Sequence, residues 1–206
     1  MIKLHHLNQS RSLRILWLLE ELNQPYELVS YKRNKDNNLA PESLKQVHPL
    51  GKSPVIELDG QVIAESGAIT ELLIEKFASE RLMPKKDTPE YAEYVQWIHF
   101  AESSLMVPLL LELFTHVAGV DDNPFLKNYT SSEKGKLLSY LDKTLENKSY
   151  IVGNKLSGAD FMLAFNFIIL NKNNQLENYP NIKHYIENLA QLDSFQRAMK
   201  IEEQNN

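Results

Sequence analysis

A few side chains in the first third of the chain have types and neighbours suited to a small charged ligand: Ser10, Lys52, Glu65 and Ser66. Glu65-Ser66-Gly67 stands directly ahead of the apolar-periodic Ile69, Leu72, Leu73 and Phe77, so a helix is expected to start near Ser66. A helix start offers N–H groups and the positive end of a dipole, which suit a carboxylate, while Glu65 beside it accepts from an ammonium. An α-amino acid carries both charges on one carbon. Lys52 adds a cation on the other side of a turn, with His48 as a second candidate there, and the backbone of Val55 is expected to pair antiparallel with an extended peptide. The ligand these residues fit has an amino-acid head, an amide middle and an anionic tail. Each also has a plainer reading: Ser10 as a helix cap, Glu65 and Ser66 as helix-start residues, Lys52 as a solvated lysine, His48 as a hydrogen-bonded loop residue.

Such a site needs a frame, and the local patterns supply one. Pro54 lacks a backbone donor and has a fixed φ, which makes Ser53-Pro54 a rigid corner. Residues 55–58 and 61–64 flank Asp59-Gly60, a dipeptide that closes tight two-residue hairpins. Residues 2–7 read as a buried strand, followed by a polar turn at 8–12 and an apolar helix from about Leu13 to Leu22, with Pro25 beyond its end. A strand at 26–31 completes a strand–helix–strand unit, for which a right-handed parallel pairing is expected. A polar loop with a short helix begun at Pro41 then leads to the hairpin.

Residues 79–88, with Pro84, two lysines and Asp87, have linker chemistry, and the patterning beyond them is helical. Thr88-Pro89 suits a helix start, and the helix is expected to run past Trp97 and Glu102 until Pro108 kinks or splits it. Thr130 to Glu133 has capping-box spacing, as has Ser157 to Asp160 before an apolar run at 161–170. Shorter helices are expected after Pro180 and Asp193, and the final EEQNN is expected to fray. The predicted class is α/β plus all-α: a thioredoxin-like domain over 1–81 and an all-helical domain over 82–206.

Glutathione has the ligand layout described above. SRSLRILWLLEEL at 10–22, HPLGKSPVIELDG at 48–60 and ESGAI at 65–69 resemble the glutathione S-transferase family, serine-type cytosolic members of bacteria and fungi in particular. LSGADFMLA at 156–164 is similar to a helix start in that family's second domain. The resemblance implies that Ser10, with Ser12 as the alternative, touches the glutathione sulfur, and that Pro54 is cis. It assigns glutathione to His48, Lys52, Ser53, Pro54, Val55, Glu65 and Ser66. The step from Ser10 to Arg14 resembles the serine-type spacing, which makes Arg14 a candidate for positive potential behind the thiolate. Ser12 looks better placed as the helix cap.

The implied role of Ser10 is hydrogen-bond donation to the thiolate. A free thiol titrates near about 8.5, and lowering that by about two units is worth ~2.7 kcal/mol. A charge-assisted hydrogen bond supplies about 1.5–3 kcal/mol, and a helix dipole adds somewhat less. The second domain is expected to contribute an electrophile pocket, for which Met106, Val107, Leu110 and Phe114 are candidates at helical spacing. The remaining apolar positions of that stretch read as core.

Composition narrows the chemistry further. With 43% hydrophobic and 24% charged residues in 206, the chain reads as an ordinary soluble protein. The net charge of −5 offers no basic field for nucleic acid or anionic lipid, and cysteine is absent, which excludes a disulfide framework, a thiolate metal site and any protein-thiol mechanism. Any sulfur chemistry must then come from the ligand. The histidines have no metal spacing, MIKLHHL is no charged-then-apolar leader, and the longest apolar run is too short for a membrane span, so a cytoplasmic, metal-free protein is expected.

The reading that follows is a detoxification enzyme that ionises glutathione, its co-substrate, for attack on an apolar electrophile. The resemblance implies a homodimer. Alternatives are a non-catalytic interaction module on the same fold, or glutathione-dependent peroxidase, isomerase or dehalogenase chemistry.

Overall fold

The computed structural model describes residues 1–205 and divides into two compact units, Met1–Met83 together with the chain from Leu189 onward, and Pro84–Asn188. In the first unit, strand β1 (Ile2–Leu7) leads into helix α1 (Ser12–Leu22) and parallel strand β2 (Tyr26–Tyr31), with Ile2 opposite Tyr26. A 3₁₀ turn over Glu42–Gln46 precedes strands β3 (Val55–Leu58) and β4 (Gln61–Ala64), and the sheet order is β2-β1-β3-β4. β3 runs antiparallel to both β1 and β4. Asp59 and Gly60 turn the hairpin with φ of 52° and 80°, the doubly left-handed geometry that Asp-Gly tolerates.

Helix α2 (Ser66–Phe77) begins at the expected residue, and a short helix α3 (Ser79–Leu82) occupies part of the stretch expected to be linker. Leu82, 1% exposed, explains the difference: one apolar anchor draws the segment into the core. Leu4, Ile15, Leu16, Leu18, Leu19, Ile56, Ile69, Leu73 and Ile74 are fully buried and form the centre of this unit.

The second unit is helical. Helix α4 (Pro89–Phe100) has Thr88 at its N-cap position, although the Thr88 hydroxyl donates back to the Lys85 carbonyl. α4 stops before Glu102, earlier than expected, and α5 (Met106–Val117) starts just ahead of Pro108. Proline fits the first turn of a helix but clashes with the carbonyl four residues earlier, so the break falls upstream of it. Helix α6 (Pro124–Thr144) runs through the predicted start at Thr130, whose hydroxyl donates to the Leu126 carbonyl in mid-helix. Its true start is Asn123-Pro124, where the Asn123 side chain accepts from the Leu126 N–H.

Helix α7 (Gly158–Lys172) starts as expected: Asp160 accepts from the Ser157 N–H at 2.8 Å. The same buried carboxylate accepts from the Ile151 N–H and the Tyr185 hydroxyl. Helices α8 (Pro180–Ala190) and α9 (Asp193–Gln204) follow at the predicted places.

By its contacts α9 groups with the first unit, and its helix runs on into the last residues, as far as Gln204. Phe195 meets Trp17 of α1 edge to face at 5.1 Å, and the Trp17 indole N–H donates to Ser194. Glu202, within the segment expected to fray, is 5% exposed. Asn206, the last residue of that segment, lies outside the described residues.

Candidate active site

The end of β1 is where the site begins. The Ser53 hydroxyl accepts from the Leu7 N–H at 3.1 Å and donates to the His5 carbonyl at 2.9 Å, so the corner is tied to the strand by both functions of one side chain. The Ser53–Pro54 peptide is cis. Val55, immediately after it, is already a sheet residue, opposite His5 on one side and Ala64 on the other. Its backbone edges are therefore flanked by strands, and the backbone of the corner outside the ladder is that of Ser53, one step before the proline.

Ser10 lies in the turn between β1 and α1. Its hydroxyl oxygen accepts from the Ser12 N–H at 3.2 Å and its carbonyl from the Leu13 N–H at 3.1 Å, so Ser10 satisfies two of the orphan donors at the start of α1. Capping and a ligand contact are compatible here. An oxygen that accepts from a backbone N–H must aim its own proton elsewhere, and that proton is available to an anion. Ser12, expected to be the cap, is fully buried instead, with its hydroxyl against His6 Nδ1 and the Leu7 carbonyl. It faces inward because it lies on the side of α1 that packs on β1.

Arg14 is 1% exposed and donates from Nη1 to the Ser66 hydroxyl at 3.0 Å. This bond joins the first turn of α1 to the first residue of α2 across 52 positions of sequence. Because Ser66 accepts there, its own O–H is directed away from Arg14. No side chain caps α2, and its first N–H groups face outward by helix geometry. Glu65 sits at φ 71° and is exposed, a left-handed conformation that costs a glutamate about 1–3 kcal/mol. Ser10, the Ser53-Pro54 corner, Arg14, Glu65 and Ser66 are thus brought to one edge of the first unit by side-chain bonds between separate motifs.

Lys52 is exposed in the loop just before that corner and has no ion pair among the described residues. His48 is bonded within its own loop: its carbonyl accepts from the Gly51 N–H and its Nδ1 stands 3.4 Å from the Leu50 N–H. The described residues contain no cluster of three metal-ligating side chains. No described helix is long and apolar enough to cross a membrane.

In the second unit the four electrophile-pocket candidates separate. Met106 and Leu110 line a groove of about 380 Å³ with Leu109, Leu113 and Ile169, rimmed by Glu112 and His116. Val107 and Phe114 are 52% and 58% exposed on another face of α5 and do not line it. Helical spacing put all four on one stripe, but the groove is lined by α5 together with Ile169 and Leu170 of α7 and takes only Met106 and Leu110 of the four.

Sequence reading missed three residues that reach the Ser10 turn. The Gln9 N–H donates to Glu202 at 2.6 Å, the Gln9 carbonyl accepts from Arg33 at 2.8 Å, and His6 Nε2 stands 2.8 Å from the second oxygen of Glu202. Only the adjacency of His5 and His6 hinted at this, since it sends one of the pair to each face of the sheet.

Comparison with known proteins agrees with this architecture. Residues 1–75 match the family model of the glutathione S-transferase N-terminal domain, and residues 110–199 that of the C-terminal domain. "Glutathione S-transferase 3" of Schizosaccharomyces pombe is 33% identical over 90% of this chain and 81% of its own length. A solved glutathione S-transferase from Actinobacillus pleuropneumoniae is 38% identical with a TM-score of 0.88, covering 98% of this chain and 93% of that one. A glutathione transferase homolog from Lodderomyces elongisporus, solved with two GSH per subunit, superimposes with a TM-score of 0.83 at 19% identity, covering 97% of this chain and 98% of its own. On its sequence and its fold, the chain belongs to the glutathione S-transferase family.

Proposed function

We propose that this protein binds glutathione along the edge formed by Ser10, Ser53-Pro54 and Glu65-Ser66, and ionises its thiol for attack on an apolar electrophile. The observation that carries the reading is the Arg14–Ser66 bond, which fixes the starts of α1 and α2 together at that edge. The γ-glutamyl carboxylate is received by the N–H groups at the start of α2 and by the Ser66 hydroxyl, and its ammonium by Glu65. The peptide middle pairs with the backbone at Ser53 rather than Val55, and Lys52, with His48, takes the glycine carboxylate. Ser10 donates to the thiolate, while the Ser12 N–H behind it relays the positive end of α1. Burial of Ser12 against His6 favours Ser10 over Ser12 for this contact.

Arg14 supplies buried positive charge behind the site without touching sulfur. The groove lined by Met106 and Leu110 is the candidate position for the electrophile. Holding both reactants converts a bimolecular encounter into a positioned one, and the hydroxyl lowers the cost of ionising the thiol. We also infer a cytoplasmic homodimer that acts in detoxification, as the family resemblance implies.

The test is an ultraviolet titration of bound glutathione in the wild type and in Ser10→Ala. The wild type should ionise the thiol about two units below its free value of roughly 8.5, and the variant should return most of that shift. An identical curve in the two proteins rejects Ser10 as the thiolate contact.

A further inference from the structure

Gln9, the residue before Ser10, is held by both of its backbone polar groups. Its N–H donates to Glu202 Oε1 and its C=O accepts from Arg33 Nη2, at 2.6 and 2.8 Å. Its φ of 50° is left-handed, a conformation that a glutamine keeps only when its surroundings impose it. The other oxygen of Glu202 stands 2.8 Å from Nε2 of the fully buried His6, out of line for a hydrogen bond but within ion-pair distance. His6 Nδ1 in turn meets the Ser12 hydroxyl. One carboxylate on α9 thus reaches the residue before Ser10 directly and the residue two after it through His6.

Helix docking alone does not call for this carboxylate. α9 is already fastened to α1 by the Phe195–Trp17 contact and by Ser194, which accepts from Trp17 and donates to Glu21. A carboxylate buried to 5% exposure is costly unless its partners need it, and an apolar residue at that position would extend the face begun by Phe195 and Ala198. His6 and Arg33 face Glu202, which acts on Arg33 by raising its affinity for protons against the stronger effect of burial.

We propose that Glu202 is a positioning residue for Ser10: from α9 it fixes the Gln9 turn and the His6–Ser12 pair, and so aims the Ser10 hydroxyl at the glutathione sulfur. This rests on the thiol role of Ser10 proposed above. Glu202 touches neither glutathione nor the reacting atoms, so its removal acts on ionisation and kcat rather than on the glutathione KM set at Glu65 and Ser66.

The experiment is the glutathione thiolate titration on the full chain, with kcat and KM measured in parallel, for Glu202→Leu, Glu202→Gln, Ser10→Ala and the Ser10→Ala/Glu202→Leu double variant. Glu202→Leu should weaken thiol ionisation about tenfold, the size of one lost charge-assisted hydrogen bond, and lower kcat with KM nearly constant. Glu202→Gln, whose amide oxygen still accepts from the Gln9 N–H, should recover most of that loss. In the Ser10→Ala background, Glu202→Leu should add nothing, because its effect passes through the hydroxyl. A full additional shift in the double variant, or an unshifted Glu202→Leu beside a shifted Ser10→Ala, overturns the proposal. An unshifted Ser10→Ala instead overturns the thiol reading on which it stands. Should Glu202→Leu fail to fold, Arg33→Met releases the same turn through its other bond and must show the same dependence on Ser10; independence there is equally fatal.

Discussion

Ser66 illustrates how a residue legible in sequence gains its meaning from a partner that is not. ESGAI marks a helix start by local pattern, but that Ser66 accepts from Arg14, and therefore turns its own proton away from it, depends on a contact 52 residues away. Ser66→Ala should remove one hydrogen bond to a charged group, worth about 1.5–3 kcal/mol, and raise the glutathione KM ten- to a hundredfold with little change in kcat. Steady-state kinetics with saturating electrophile separate the two constants, and a fall in kcat with unchanged KM would refute the assignment. Glu65 allows a sharper separation. Glu65→Gly should relieve the strain of φ 71° and raise stability by about 1 kcal/mol while weakening glutathione binding, so that a urea midpoint and a binding constant move in opposite directions. The turn at Ser10, the corner at Pro54 and the helix start at Glu65-Ser66 were readable because turn chemistry and helix starts are written in adjacent residues. His6, Arg33 and Glu202 were not, because Glu202 and Gln9 are 193 positions apart and nothing local distinguishes a docked carboxylate from a solvated one.

Among the elements, two similar tetrapeptide patterns had opposite outcomes for a physical reason. Thr130 to Glu133 and Ser157 to Asp160 have equal spacing, but the first lies inside α6, which Asn123-Pro124 had already started, and the second follows the loop that ends α6. A pattern of side-chain acceptors marks a helix start only where the preceding backbone is not already helical. Asp160 also carries a testable pH dependence. Burial is the largest influence on its carboxyl and pushes it up to about 6, against the opposing bonds from Ile151, Tyr185 and Ser157. A raised carboxyl keeps its proton in the folded state at pH values where the unfolded chain, with a carboxyl near about 3.9, has released it. The folded state therefore binds more protons between about pH 4 and 6, and this group's contribution to stability falls as pH rises across that window, by about 3 kcal/mol. Asp160→Asn should be less stable at every pH, because its amide NH₂ faces the Ser157 N–H, yet it should lose this slope. Urea midpoints measured through that window compare the two directly, and parallel pH profiles would show that the carboxyl is not raised.

For the molecule as a whole, the feature that sequence order concealed is that the chain closes its first unit with its last helix. α9 shows the amphipathic repeat of Phe195, Ala198 and Glu202, which predicts a packed helix but does not say which surface receives it. The receiving surface is α1, where Trp17, 2% exposed, meets Phe195 edge to face, and where Glu20 pairs with Arg197. A boundary drawn near residue 82 places α9 with the second domain by sequence order, whereas the compact units group it with Met1–Met83. The assignment has a measurable consequence, since the two tryptophans fall one in each unit, Trp17 in the first and Trp97 in the second. In a Trp97→Phe background, Trp17 alone reports on the first unit. Phe195→Ala removes a nearly buried ring and leaves a cavity beside the indole, for which about 3–5 kcal/mol is expected. The urea transition followed by Trp17 fluorescence should move to lower denaturant by that amount with an unchanged m-value, and the native emission should shift to the red as water reaches the ring. An unmoved Trp17 transition would mean that α9 is not part of the structural unit that holds the Ser10 turn, and Glu202 would then have no rigid support from which to position it.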